Sequence, residues 1–230
     1  VRKHSEIDPR ELGLGDGPTQ YSFKKSGERT GIDLDLSRSL GRFLGVSVAY
    51  VPTTWPTLMA DLAEDRFDLA MSGISRTPER EARAFFSKPY ALSGKTPIIR
   101  CADRDRLDTW EKIDQPATRV ITNPGGSNER FARTHLKAAA IAVFPDNSKI
   151  FEQIAAGNAD VMVTDSEEVK VATREHPSLC PAMPGKELEP VEKAVLMPKN
   201  AELRDAVDRW LDGEKESGEL KRVFEKYLPN

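Results

Sequence analysis

Two carboxylates are the first candidates for chemistry. In VTDSEEV (163–169), Asp165 and Glu168 are spaced to share the first turn of a helix. They can form a capping box, in which the two side chains serve the helix's own N–H groups. They can also supply a general acid, because a carboxyl group held away from water keeps its proton toward neutral pH. In a second loop, MSGISRTPER (71–80), the sequence predicts Thr77 as a helix cap with Pro78 at the first helical position. Arg80 then falls in the first turn, where the helix dipole disfavours a cation. Its guanidinium either meets an anionic partner there or pairs on the surface with Glu79 or Glu81. A third loop, NPGGSNER (123–130), turns at Pro124, Gly125 and Gly126, with Ser127 or Asn128 as the cap of the next helix. Free backbone N–H groups at such a start suit a carboxylate or phosphate. The other reading is an ordinary glycine turn. The loop has neither the GK[ST] of a Walker sequence nor GxGxxG spacing. Trp55 marks a strand-to-helix corner and Lys95 an extended stretch. Their plain alternatives are a core aromatic and a solvated lysine.

The rest of the chemistry inventory is sparse. Two cysteines, Cys101 and Cys180, lie outside any CxxC pair, and there are only three histidines, His4, His135 and His176. No zinc site is expected from that set, and no Ser-His-Asp spacing stands out. The cysteines allow one disulfide, which implies an oxidising compartment, or two buried thiols. At 230 residues, 38% hydrophobic and 31% charged with a net charge of −3, the chain can build a core and is not the basic chain expected of a general nucleic-acid binder. No apolar run approaches the ~18 residues of a membrane span. The stretch from Val1 to Glu11 is polar and unlike a leader. A mature exported chain would look like this, and so would a cytosolic one.

These candidates must be held by elements, and the pattern alternates. VSVAYV (46–51), FDLAMSG (67–73), TRVIT (118–122), AIAVF (140–144) and DVMVT (160–164) read as strands. Helices are expected over Gly31–Leu44, from Trp55-Pro56 through Leu58, Met59 and Leu62, from Ser127, and through Ile150, Phe151 and Ile154. Two more amphipathic helices carry Leu203, Val207, Trp210 and Leu211, then Leu220, Val223, Phe224 and Tyr227. Short β-branched runs separated by helical periods indicate an α/β chain with parallel strands and crossover helices. The set occurs once before residue 92 and again after 117. SGKTPIIRC (93–101) and EKAVLMP (192–198) read as two crossings between lobes. The expected organisation is a first lobe of residues 1–94 and 195–230 with a second lobe, 95–194, inserted in it. Ligands of open α/β sheets lie beyond the carboxyl ends of strands, so two facing lobes predict a cleft between them.

The residues also carry a resemblance. GIDLDL (31–36), WPTLMADLAEDRFDLAMSGISRTPER (55–80) and FSKPY (86–90) resemble the periplasmic solute-binding proteins of amino-acid uptake, with the two-lobed type II fold. In that superfamily the positions of Ser72, Ser75 and Arg80 hold a ligand carboxylate, and the position of Asp165 an amino group. Within it, SGKTPI (93–98), IDQP (113–116), NPGGSNERFAR (123–133), PDNSKIFEQI (145–154) and TDSEE (164–168) are similar to the cyclohexadienyl dehydratase family. The likeness spans about residues 27 to 228, and both cysteines fall where that family has them. It implies that Glu168 is the general acid, with Lys95 and Asn128 beside it in the catalytic set. Asn123 and Ser127 would belong to the polar loop around the substrate, and Trp55 would be a pocket tryptophan. One stretch departs from the family: ELGLGDGPTQYSF (11–23) replaces an opening loop that in the family forms one pocket wall.

The resemblance implies a carbon–oxygen lyase that turns prephenate into phenylpyruvate and arogenate into phenylalanine. Loss of water and carbon dioxide makes the ring aromatic, so protonating the departing hydroxyl is the step to assist, and no metal or organic cofactor is required. Small-molecule substrates are the expected partners, without nucleic acid or membrane insertion, and the family allows a homo-oligomer. The expected location is the periplasm, as a chain relieved of its signal peptide. The rival reading is a non-catalytic periplasmic receptor that delivers an amino acid or small carboxylate to an ABC transporter.

Overall fold

Apolar side chains at alternate strand positions and at every third or fourth helical position decide where each element packs. The computed structural model describes residues 11–16, 22–23 and 29–228. The chain forms two α/β units. The first runs up to Leu92 and resumes at Val191; the second is Ser93–Pro190. Among the described residues no helix is long and apolar enough to cross a membrane.

The first unit is built on a five-stranded sheet ordered Ser47–Pro52, Glu11–Asp16, Leu69–Ala70, Leu196–Met197, Phe85–Phe86. Glu11–Asp16 pairs in parallel with both neighbours, whereas Leu196–Met197 runs antiparallel to both of its own. Adjacent strand residues enter different cores, as alternation requires. Leu69 and Met197 join Ile32, Leu36, Leu40, Val207, Trp210 and Leu211. Ala70 and Leu196 join Leu58, Leu62, Phe67, Ile74 and Phe86. Each fully buried leucine or isoleucine of this kind contributes about 1.5–3 kcal/mol.

The second unit carries the sheet ordered Leu179–Pro181, Ala91–Arg100, Val161–Asp165, Arg119–Thr122, Ala140–Val143, with Leu188–Lys193 also paired to Ala91–Arg100. Val161–Asp165 is parallel to Arg119–Thr122 but antiparallel to Ala91–Arg100, in a register that sets Asp165 opposite Lys95 and Thr164 opposite Thr96. Ile98, Ile121 and Met162 pack with Ile150 and Ile154. Ile99, Val120 and Val161 pack with Leu107, Ile113 and Leu136. Cys101 and Cys180 are joined in a disulfide, with Cα atoms 5.2 Å apart.

Several expected elements change extent. The strand over 67–73 keeps only Leu69–Ala70 in the ladder. Beyond it the chain turns at Gly73, whose φ of 61° suits glycine. The crossing at 192–198 is split into Leu188–Lys193 and Leu196–Met197, and the Val195 N–H donates to the Ser87 hydroxyl at 3.1 Å. Trp55 and Pro56 form a turn, and the helix starts at Leu58. Within the altered 11–23 segment, Glu11–Asp16 and Ser22–Phe23 are strands, and residues 17–21 lie outside the described residues, as does His4.

Candidate functional site

The second unit gathers the polar candidates around one lysine. Lys95 is not a solvated loop residue: it sits in the Ala91–Arg100 strand and is 4% exposed. Its ammonium donates to Asp165 Oδ1 at 2.8 Å, to Ser127 Oγ at 3.0 Å and to Asn128 Oδ1. Those three acceptors match the three donors of an ammonium. Antiparallel register places Asp165 there, and Ser127 and Asn128 arrive at the start of the Ser127–His135 helix.

A directed chain of hydrogen bonds leads from that lysine to Glu168. With its oxygen accepting from Lys95, Asn128 uses its amide N–H groups to donate to Thr164 Oγ1 at 2.9 Å and Asn123 Oδ1 at 3.2 Å. Thr164 Oγ1 then donates to Glu168 Oε2. Every direction is set by the donor-only ammonium at the head of the chain. Glu168 Oε2 is therefore an acceptor on this half-buried side chain.

The expected caps are not made. Gly126, not Ser127 or Asn128, takes the cap position of its helix and has no side-chain bond to offer. Asp165 occupies the cap position of the Ser166–Glu175 helix, yet its side chain makes no cap bond. Its carboxylate faces the Lys95 ammonium instead, where two full charges meet at 2.8 Å. The anion site read into the glycine turn is partly filled from within, as the Gly125 N–H donates to Glu129 Oε2 at 2.7 Å. That hydrogen bond, with the partner Arg133, holds the Glu129 carboxyl below its usual range.

The first unit brings Ser75, Arg80 and Trp55 together. Arg80 stands in the short Pro78–Glu81 helix, and its Nη1 donates to the Ser75 carbonyl at 2.8 Å. Its guanidinium carbon lies 5.7 Å from the centroid of the half-buried Trp55 ring, within cation–π range. Glu81 pairs with Arg76 at 2.5 Å. Thr77 has the expected cap position but not the cap bond: its hydroxyl is buried without a hydrogen-bond partner among the described residues. Ser72 donates to the Met71 carbonyl at 2.5 Å, which occupies its proton within the chain.

Residues that the sequence did not single out complete both clusters. Thr164 links Asn128 to Glu168, and its sequence signal was its place at the end of a strand and at the head of TDSEE. Lys193 is 2% exposed and donates to Ser75 Oγ at 2.8 Å. Its place directly before the apolar AVLMP run was the signal available for it. Asp33, also 2% exposed, accepts from the Gly73 N–H at 3.0 Å. Burial pushes its carboxyl up to about 7, against hydrogen bonds from Tyr90 and Gly73 and the charge of Lys193, which pull it down.

Comparison with known proteins places the chain among relatives. The profile of the bacterial extracellular solute-binding proteins, family 3, matches residues 13–230. A cyclohexadienyl dehydratase of Pseudomonas aeruginosa is 46% identical over 211 residues, covering 92% of this chain and 78% of that protein. Among solved structures, the ancestral amino acid-binding protein AncCDT-1, a precursor of cyclohexadienyl dehydratase, is 30% identical with a TM-score of 0.86, covering 95% of each chain. An ancestral cyclohexadienyl dehydratase, AncCDT-3, is 42% identical with a TM-score of 0.57, covering 97% of this chain and 95% of that one.

Proposed function

The chain belongs to the bacterial extracellular solute-binding proteins, family 3, and on that premise we propose that it is a cyclohexadienyl dehydratase of the periplasm. In this reading it is a carbon–oxygen lyase that converts prephenate to phenylpyruvate and arogenate to phenylalanine. One observation carries the reading over that of an amino-acid carrier. Asp165 matches the position that holds a ligand's amino group in the carriers, and here its carboxylate is taken by the buried ammonium of Lys95 at 2.8 Å. The protein supplies its own amine where a carrier would receive that of its guest.

Each cluster has its own part in the proposed reaction. Arg80 and Ser75 hold the side-chain carboxylate, joined by Ser72 once its hydroxyl turns from the Met71 carbonyl, with Trp55 beside the guanidinium. Protonated Glu168 delivers its proton to the ring hydroxyl. The C–O bond breaks and water leaves, while the C–C bond to the ring carboxylate breaks and carbon dioxide departs. The electron pair of that bond enters the ring, which becomes aromatic, and Glu168 regains its proton from solvent. General acid assistance of this kind gives typically ~10²–10⁴-fold. Lys95 acts as the hub that fixes Asn128, and through Thr164 the orientation of Glu168. Ser127 accepts from Lys95 and so has its own proton to offer the substrate, and Asn123 braces Asn128.

The deciding measurement is the absorbance of phenylpyruvate after prephenate is added to purified protein. Turnover well above the spontaneous rate is expected. A rate equal to the spontaneous one, with tight binding of an amino acid by calorimetry, makes the protein a carrier instead.

A further inference from the structure

In the first unit one serine stands between two cations. Ser75 Oγ accepts from Lys193 Nζ at 2.8 Å, and the carbonyl of the same residue accepts from Arg80 Nη1 at 2.8 Å. A β-bridge between Ser75 and Lys193 ties the two backbones at this point. An ammonium has donors and no acceptor. Ser75 Oγ must therefore be the acceptor of that bond, which leaves the serine's own proton to be donated elsewhere. Two residues along, the Thr77 hydroxyl is buried and unmatched among the described residues. The loop thus presents a hydroxyl whose direction is set, a second hydroxyl awaiting a partner, and a guanidinium, all suited to one carboxylate.

We propose that Lys193 is a positioning residue for carboxylate recognition, whose ammonium forces Ser75 to act as a donor to the ligand. The inference rests on the proposed role of Ser75 and Arg80 in holding the ligand's carboxylate. It extends that role to a residue buried behind the loop. Lys193 does not meet the ligand; it decides which way a hydroxyl that does meet it must point. Without the ammonium, the Ser75 hydroxyl is released to turn its proton toward protein acceptors, as Ser72 does toward the Met71 carbonyl.

The test uses the intact protein and the variants Lys193→Met, Lys193→Arg and Ser75→Ala, each checked for a native far-UV circular dichroism spectrum. With prephenate, K193M should raise KM at least tenfold with kcat within threefold of the native value. K193R, which keeps the donors, should restore KM to within threefold. S75A should raise KM as K193M does, and the double variant should add little, because both remove the same donor. Calorimetry with phenylpyruvate and L-phenylalanine separates this inference from the proposed function. If the native protein binds either compound without turning prephenate over, the dehydratase reading fails; a tenfold loss of that binding in K193M still upholds the role of Lys193. A folded K193M with native KM and native affinity overturns it, and so does a native protein that neither turns prephenate over nor binds either compound. Should K193M not fold, S75A with a native KM overturns it as well.

Discussion

At the scale of single residues, the site is governed by the difference between groups that donate and groups that accept. The donor-only ammonium of Lys95 orients Asn128, Asn128 orients Thr164, and Thr164 meets Glu168 as an acceptor. Glu168→Gln keeps an acceptor for Thr164 but has no acidic proton. We expect it to lower kcat for prephenate by about 10²-fold or more, with phenylpyruvate affinity in calorimetry unchanged within a few fold. Activity retained in that variant would remove the general acid from the mechanism. Lys95→Met should behave differently, because it leaves the buried Asp165 carboxylate without its cation. Breaking such a pair costs about 3–5 kcal/mol, read as a lower urea midpoint, and turnover should fall with it.

At the scale of elements, strand register does what loop motifs do not. Lys95 and Asp165 are far apart in sequence, and antiparallel pairing of Ala91–Arg100 with Val161–Asp165 sets them opposite each other. The alternation of strands and helices was legible in the sequence, and so were Arg80, Asp165 and Glu168 as candidates from their loops, and Ser75 through the family likeness. The partners of those side chains were not. A capping box and a salt-bridged hub use the same Asp165, and only the neighbouring strand decides between them. Lys193 escaped notice for the same reason: its meaning depends on the bridge to Ser75. The shortened Leu69–Ala70 strand shows the limit of reading an apolar run as ladder, since Met71 is buried in the core outside the strand. The disulfide makes a prediction at this scale. Cys101 and Cys180 close a loop with a sequence separation of 79, for which chain entropy gives about 4.5 kcal/mol. Replacing both with alanine should lower the unfolding free energy in urea by that order, and reductant should destabilise the native protein but not the variant.

Across the whole molecule, two buried acids give stability an opposed dependence on pH. Asp33, with its carboxyl raised from 3.8 to about 7, keeps a proton in the fold that the unfolded chain releases. Its contribution to stability is therefore greatest below pH 4 and declines as pH rises from about 4 to 7. Asp160 is the converse. Burial disfavours its charge, but hydrogen bonds from Arg119 and Arg100 outweigh that and hold its carboxyl far below the usual range. Its contribution is present above pH 4 and is lost as the medium becomes more acidic. Asp33→Asn should flatten the stability profile between pH 4.5 and 7.5 and leave the acid limb in place, as checked by urea unfolding at each pH. A decline of native slope in that variant would mean that another group titrates in this window. The placement of the three tryptophans has a practical consequence of its own. Trp210 is 2% exposed in a hydrophobic core, and Trp110 lies 5.9 Å from the Phe131 ring in the second unit. Trp55 sits against the Arg80 guanidinium. Replacing the other two indoles with phenylalanine therefore leaves a single intrinsic fluorophore beside the guanidinium proposed to meet the ligand, so on that proposal ligand arrival can be timed by light emission without attaching a dye.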